Sequence, residues 1–357
     1  MRDWEQAWAR ALYGPGGFFA RGERPAQHFR TAPLVGPELA EALLELLGRI
    51  DLALGRPDPV EFVDVGAGGG ELAGTVAELA PPDLRRRLRV TAVEVHPPVG
   101  GDTPVHWRKD LPDHVTGLLV GHEWLDSVPC PVVQVRRGRV WRLAVAADGT
   151  ERPGAPAGPD ELAWLDRWWP LRHGEGLDEG ARAEVGAPRD AAWANAVRRV
   201  RAGAALAVDY DHLLSERARG RFRTGTLAAY RAGRSVVPVP DGSCDLTAHV
   251  ALDACAAAAT SAAPGGTVLV RQRDALTALG LTGAAPPAGL AGTDPVGWLA
   301  ATARAGRVAE LCDPAGLGGF GWLLQVGVGV RVTDLLPGAV GESRGDGRAA
   351  ESSPPTL

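Results

Sequence analysis

Lysine is almost missing from this chain: Lys109 stands alone among 38 basic residues, and the remainder are arginine. With net charge -5 there is no broad basic field to draw phosphates, so a nucleic-acid partner is not expected. Long apolar runs are missing too. None reaches the roughly 18 residues that a membrane-spanning helix needs, so no membrane association is expected. Cysteine is sparse. Cys130, Cys244, Cys255 and Cys312 are scattered without a C-x-x-C pair, which offers neither a zinc site nor a disulfide framework. Reduced thiols in a cytoplasm are the expectation. The N-terminal MRDWEQAWARALYGPGG carries acids and no continuous apolar core, unlike a secretion signal.

What is present is an alternation of short apolar runs with helical patterns. Residues 37–54 carry apolar positions at helical spacing, with Pro37 suited to the first turn. PVEFVDVGAGGGELAGTVAELA reads strand, glycine turn, helix. RLRVTAVEVH, PVHW and VTGLLVGHEWLDSVP supply three more strands, GAALAVDYDH a fifth, and TVLVRQ and GWLLQVGVGV two last ones. Residues 132–145 read as a hairpin around Arg137-Gly138, and residues 242–263 as a helix. This predicts an α/β fold whose Rossmann-like, mainly parallel sheet is covered on both faces, with its ligand at the carboxyl ends of the strands. The expected division is a helical and Gly-rich cap over 1–55, a catalytic domain over 56–336 with insertions near 132–187 and 211–245, and a disordered tail over 337–357.

Val63-Asp64-Val65-Gly66-Ala67-Gly68-Gly69-Gly70-Glu71 is the strongest motif. Glycines let a backbone turn sharply and approach a ligand. A dinucleotide site would want G-x-G-x-x-G with a pyrophosphate at the helix start. Here Glu71 holds the last glycine position, and its charge would repel a pyrophosphate. Asp64, two residues before Gly66, suits the amino-acid end of S-adenosyl-L-methionine in a class I methyltransferase. Glu94, ending the second strand, is placed to accept ribose hydroxyls. Asp110 and Leu111, after the third strand, are placed for the adenine. In a Gly-rich chain the loop alone could be a mere turn; Asp64, Gly66, Gly68, Gly70, Glu94, Asp110 and Leu111 in this order predict the cofactor site. No metal is expected.

The chain also resembles the MidA-like methyltransferase family, whose mitochondrial members act in assembly of respiratory complex I. The resemblance runs from about Tyr13 to about Val330. It is carried by Gln27-His28-Phe29-Arg30-Thr31-Ala32-Pro33-Leu34, His122-Glu123-Trp124-Leu125-Asp126-Ser127-Val128-Pro129, Val208-Asp209-Tyr210-Asp211, Thr226-Leu227-Ala228-Ala229-Tyr230 and Asp245-Leu246-Thr247-Ala248-His249-Val250. His122 stands where the family has Asn, Leu34 for Glu, Asp211 for Gly, and Gly69 at a position often basic. The resemblance implies methylation of an arginine side chain in a protein, a complex I subunit or another arginine-bearing protein.

A guanidinium is cationic and a poor nucleophile, so carboxylates would have to orient it and take its proton. Glu123, Asp126 and Asp209 are the candidate catalytic acids. Thr31, Pro33, His122, Tyr210, Thr226 and Asp245 are the candidate substrate contacts implied by the resemblance. Bland roles stand beside these: Asp126 can cap a turn, and Asp209 can fix a loop. His28 and His249 read as loop or core histidines rather than bases. For Trp164, Trp168 and Trp169, burial is preferred over a recognition surface. Two other functions remain open: a small-molecule methyltransferase, and a cofactor-binding assembly factor without catalysis.

Overall fold

A computed structural model describes residues 1–23, 31–97 and 104–338. Its main sheet is built from Val60–Val65 (β1), Leu88–Val93 (β2), Val105–Arg108 (β3), Val115–His122 (β4), Val200–Asp209 (β5), Gly266–Arg271 (β6) and Gly321–Val326 (β7). The order across it is β3-β2-β1-β4-β5-β7-β6. β7 runs antiparallel to both neighbours and the other pairs are parallel, so the sheet is mixed. The central strands are Val-, Leu- and Ala-rich because helices cover both faces and leave no solvent side for polar residues.

The helices used below are α1 (Trp4–Tyr13), α2 (Glu38–Ala53), α3 (Glu71–Leu79), α4 (Pro159–Trp168), α5 (Ala187–Arg199), α6 (Leu252–Ala259) and α7 (Pro295–Cys312). α2, α3 and α7 contribute to the core on one face of the sheet. α5 and α6 pack on the other. Within residues 1–55, α2 belongs to the main core, while α1 packs in a separate cluster. Leu43, midway along α2, is fully buried. Leu43→Ala should cost about 3 kcal/mol of stability, as large-to-small changes in such cores do. Urea unfolding measures it; a change below about 1 kcal/mol would mean that α2 is an appendage after all.

The hairpin Val132–Arg136/Arg139–Val145 forms as expected. It belongs to a five-stranded sheet with Arg2–Asp3, Glu151–Pro156 and Arg182–Glu184. α1 and α4 cover this sheet, and Trp164 of α4 and Trp169 at its end are buried, which favours packing over a recognition surface. Residues 242–263 are not one helix. Asp245–Thr247 pairs with Ala228–Arg231, and the helix is confined to Leu252–Ala259. The strand reading of residues 115–129 ends at His122, where the chain leaves the sheet. Of the tail, Pro337 and Gly338 fall among the described residues.

Candidate functional site

β1, β2, β4 and β5 end at one edge of the sheet, in register: Val65 lies beside Val93 and Gly121, and His122 beside Val208. The glycine loop starts where β1 stops. Gly66, Gly68 and Gly70 have φ of 72°, 55° and 84°, the left-handed region open to glycine and strained for branched residues. The loop is tied down by Gly66 N–H and Ala67 N–H donating to Val93 O, at 2.9 and 3.2 Å. A Cβ at Gly66 would stand 3.0 Å from Trp124. One at Gly68 would meet nothing closer than Glu71 Oε2 at 4.0 Å, so that face of the loop is open.

Beside the loop lies a cavity of about 650 Å³. Gly66, Gly68, Glu94, Asp110 and Leu111 are among the residues that line it. Glu94 is already oriented: Oε2 accepts from Gly68 N–H at 3.0 Å and Oε1 from Val95 N–H at 2.7 Å. Tyr13, Phe19, Trp124, Val128 and Asn195 also line the cavity and were not foreseen. Tyr13 closes α1, and its hydroxyl donates to Ser127 O at 3.1 Å. Trp124 stands within the His122–Pro129 segment that carries the resemblance, without a role assigned to it there.

A second, narrower cavity shares Gly66, Gly68 and Glu123 with the first and adds Thr31, Pro33, Asp64 and His122. Asp64 is buried, and its Oδ2 has no hydrogen-bond partner among the described residues. Burial pushes its carboxyl up to about 7. An orphaned, buried carboxylate oxygen at a glycine loop fits an ammonium group. Gln27, His28, Phe29 and Arg30 lie outside the described residues.

Glu123 faces both cavities. Its φ of 49° is a strained value for a side-chain-bearing residue, held by Glu123 N–H donating to Val208 O at 2.8 Å. Tyr210 Oη donates to Glu123 Oε2 at 3.3 Å, while Oε1 is unpartnered. Burial first, then the neighbouring Asp126, pushes the Glu123 carboxyl up to about 8. Burial pushes His122 down to about 4, so it is a neutral ring. Behind Glu123 sit Asp126 and Asp245, both buried and both raised by burial, each with an unpartnered Oδ1. Asp126 Oδ2 accepts from Thr247 Oγ1 at 2.6 Å.

Two expected site residues have other duties. Asp209 is fully enclosed; Oδ2 accepts from the N–H groups of Leu125 and Asp126, at 2.9 and 3.2 Å, and Oδ1 from Tyr210 N–H at 3.0 Å. It shapes the turn that carries Glu123 and Asp126, and lines neither cavity. Thr226 donates to Glu184 Oε2 at 2.8 Å and accepts from His249 N–H at 3.1 Å. Its hydroxyl is committed to structure and lines neither cavity. Among the described residues, no cluster of His, Cys, Asp and Glu could hold a metal ion, and no helix is long and apolar enough to cross a membrane.

Residues 39–267 match the model of a family described as "Putative S-adenosyl-L-methionine-dependent methyltransferase". A crystal structure of a Burkholderia thailandensis protein bound to S-adenosyl-homocysteine has a TM-score of 0.76 and 23% identity to this chain, covering 94% of it and 90% of the other. A native crystal structure from the same organism gives a TM-score of 0.74 and 23% identity over the same shares. These two likenesses are of fold. No curated protein matches the chain.

Proposed function

The chain belongs to that methyltransferase family, and from this membership we propose that it moves the methyl group of S-adenosyl-L-methionine onto an arginine side chain of a protein, on a class I methyltransferase sheet. The residues fit the cofactor: an open glycine face at Gly68, an orphaned Asp64 oxygen and a pre-oriented Glu94 surround adjoining cavities. Asp64 would hold its ammonium group and Glu94 its ribose, with Asp110 and Leu111 toward its base. When bound, the cofactor supplies a methyl group that leaves sulfur without its bonding pair.

The observation that supports an arginine acceptor is the set of buried carboxylate oxygens without hydrogen-bond partners among the described residues: Glu123 Oε1, Asp126 Oδ1 and Asp245 Oδ1. Such oxygens want N–H donors or a positive charge, and a guanidinium offers five N–H groups in a fork. Glu123, the one that faces the cavities, would orient the acceptor nitrogen and take the proton it loses as the N–C bond forms. In that role Glu123 must be ionised. Its raised carboxyl means that transfer should climb as pH passes through about 8. Burial around Glu123 and Trp124 would exclude water from the reacting atoms.

The test is radiolabelled methyl transfer into extract from cells lacking the gene, followed by amino-acid analysis. Label in methylarginine is the expected result. Label confined to the small-molecule fraction would favour a metabolite methyltransferase. Tight cofactor binding with no label anywhere would favour an assembly factor. Cofactor affinity gives a separate check. Glu94→Ala removes the ribose acceptor and frees the Gly68 amide, so it should weaken binding by about 1.5–3 kcal/mol. An unchanged dissociation constant in titration calorimetry would put the ribose elsewhere.

A further inference from the structure

Arg189, on α5, is 2% exposed, yet among the described residues no carboxylate pairs with it. Its N–H groups donate to four backbone carbonyls instead. Nε reaches Val128 O at 3.0 Å, Nη1 reaches Ala248 O at 2.9 Å and His249 O at 2.8 Å, and Nη2 reaches Asp126 O at 2.6 Å. The ring of Trp8, from α1, lies 5.4 Å from its Cζ. The adjacent Asp190 is engaged elsewhere, by Trp164 Nε1 at 2.7 Å and by the Cys255 thiol.

Those four carbonyls belong to two segments. One is the turn after Glu123, which carries Asp126. The other follows Thr247, whose hydroxyl fixes the Asp126 carboxylate. Ala248 N–H also donates to Asp126 O at 3.2 Å. Arg189 therefore fastens together the two pieces of chain that set Asp126 in place. A neutral side chain could bridge carbonyls at less desolvation cost, so a cation here asks for an electrostatic reason. Asp126 and Asp209 both feel its charge, which opposes the effect of their burial. Glu123 and Asp245 face Asp126 from the turn and from the neighbouring strand, and Tyr13 faces it from α1. His249 and His212 face Arg189 and are held neutral.

We propose that Arg189 is a positioning residue: it fixes the Glu123–Pro129 turn through backbone carbonyls and supplies the positive charge against which the acidic cluster of Glu123, Asp126 and Asp245 is set. This rests on the methyltransferase reading. It acts through Asp126 and Glu123 and touches neither cavity.

The test needs no methyl acceptor. Calorimetry of S-adenosylmethionine and of S-adenosylhomocysteine, in buffers of different ionisation enthalpy, gives the protons released on binding each. Their difference isolates the sulfonium charge. Measured from pH 6 to 9.5 on the full chain, that difference should peak where the cluster titrates. In Arg189→Gln the peak should move up by about one pH unit, the scale of one partly buried charge at this range. In Arg189→Lys, which keeps the charge, the peak should stay at the wild-type pH. A peak unmoved in the Gln variant, with only a lower melting temperature, would overturn the proposal and leave Arg189 a strut. A peak displaced in the Lys variant would overturn it as well, and that variant decides if the Gln variant does not fold. If the wild-type chain binds neither ligand, the cofactor reading fails first, before any variant is compared.

Discussion

Gly68→Val should abolish cofactor binding, by at least about 100-fold, while the chain stays folded. A side chain there would point into open space beside the cavity, not into the core. The substitution also forces a β-branched residue to a φ of 55°, at a cost of about 1–3 kcal/mol that a core of this size can absorb. Circular dichroism checks the fold, and titration with S-adenosylhomocysteine checks the site. Native circular dichroism with full affinity would mean that the loop cradles nothing.

Glu123→Gln should lower the rate of methyl transfer by about two to four decades, the range for a positioned acid–base group. Cofactor affinity should stay within a few-fold. The amide keeps the shape and the hydrogen bond from Tyr210 Oη, but it cannot take a proton. The same variant should lose the rise in rate near pH 8, because that rise belongs to the residue removed. Single-turnover transfer into cell extract with saturating cofactor separates binding from chemistry. Wild-type rate would dismiss Glu123, and with it the arginine mechanism, while leaving the family assignment intact. Asp126→Asn is expected to have a smaller effect, since Asp126 lies behind Glu123 and lines neither cavity.

The glycine loop, Glu94 and the five parallel strands β1 to β5 were legible because each imposes a local demand. Backbone at positive φ requires glycine, and a buried strand requires an apolar run. The hydrogen bonds of Asp209 and Thr226 were not legible, because a sequence shows that a carboxylate or hydroxyl exists, not which amides and acids it satisfies. Arg189 was hidden for a different reason: in a chain where nearly every cation is arginine, one more carries no signal. α7 escaped because Gly, Ala and Thr dilute its apolar stripe; only Val308 and Leu311 along its length are buried. The clue was at its start, where the Asp294 side chain accepts from Gly297 N–H at 2.9 Å and Pro295 occupies the first turn. Tyr13 and Trp124 reach the cavity from segments far apart in the sequence, so no window of local pattern could pair them.

α1 rests on partners that lie far along the chain. Trp8 Nε1 donates to Leu246 O at 3.0 Å, across 238 residues, and Arg2–Asp3 pairs with residues 144–145. A growing chain therefore lacks the partners of Trp4 and Trp8 while the first four strands of the main sheet are being made, and the packing of α1 is complete only when residue 246 is in place. Contacts so distant in sequence form slowly. The wall that Tyr13 gives the cavity is thus completed late: a nascent chain can have its glycine loop folded, and still be open on the side where α1 will close.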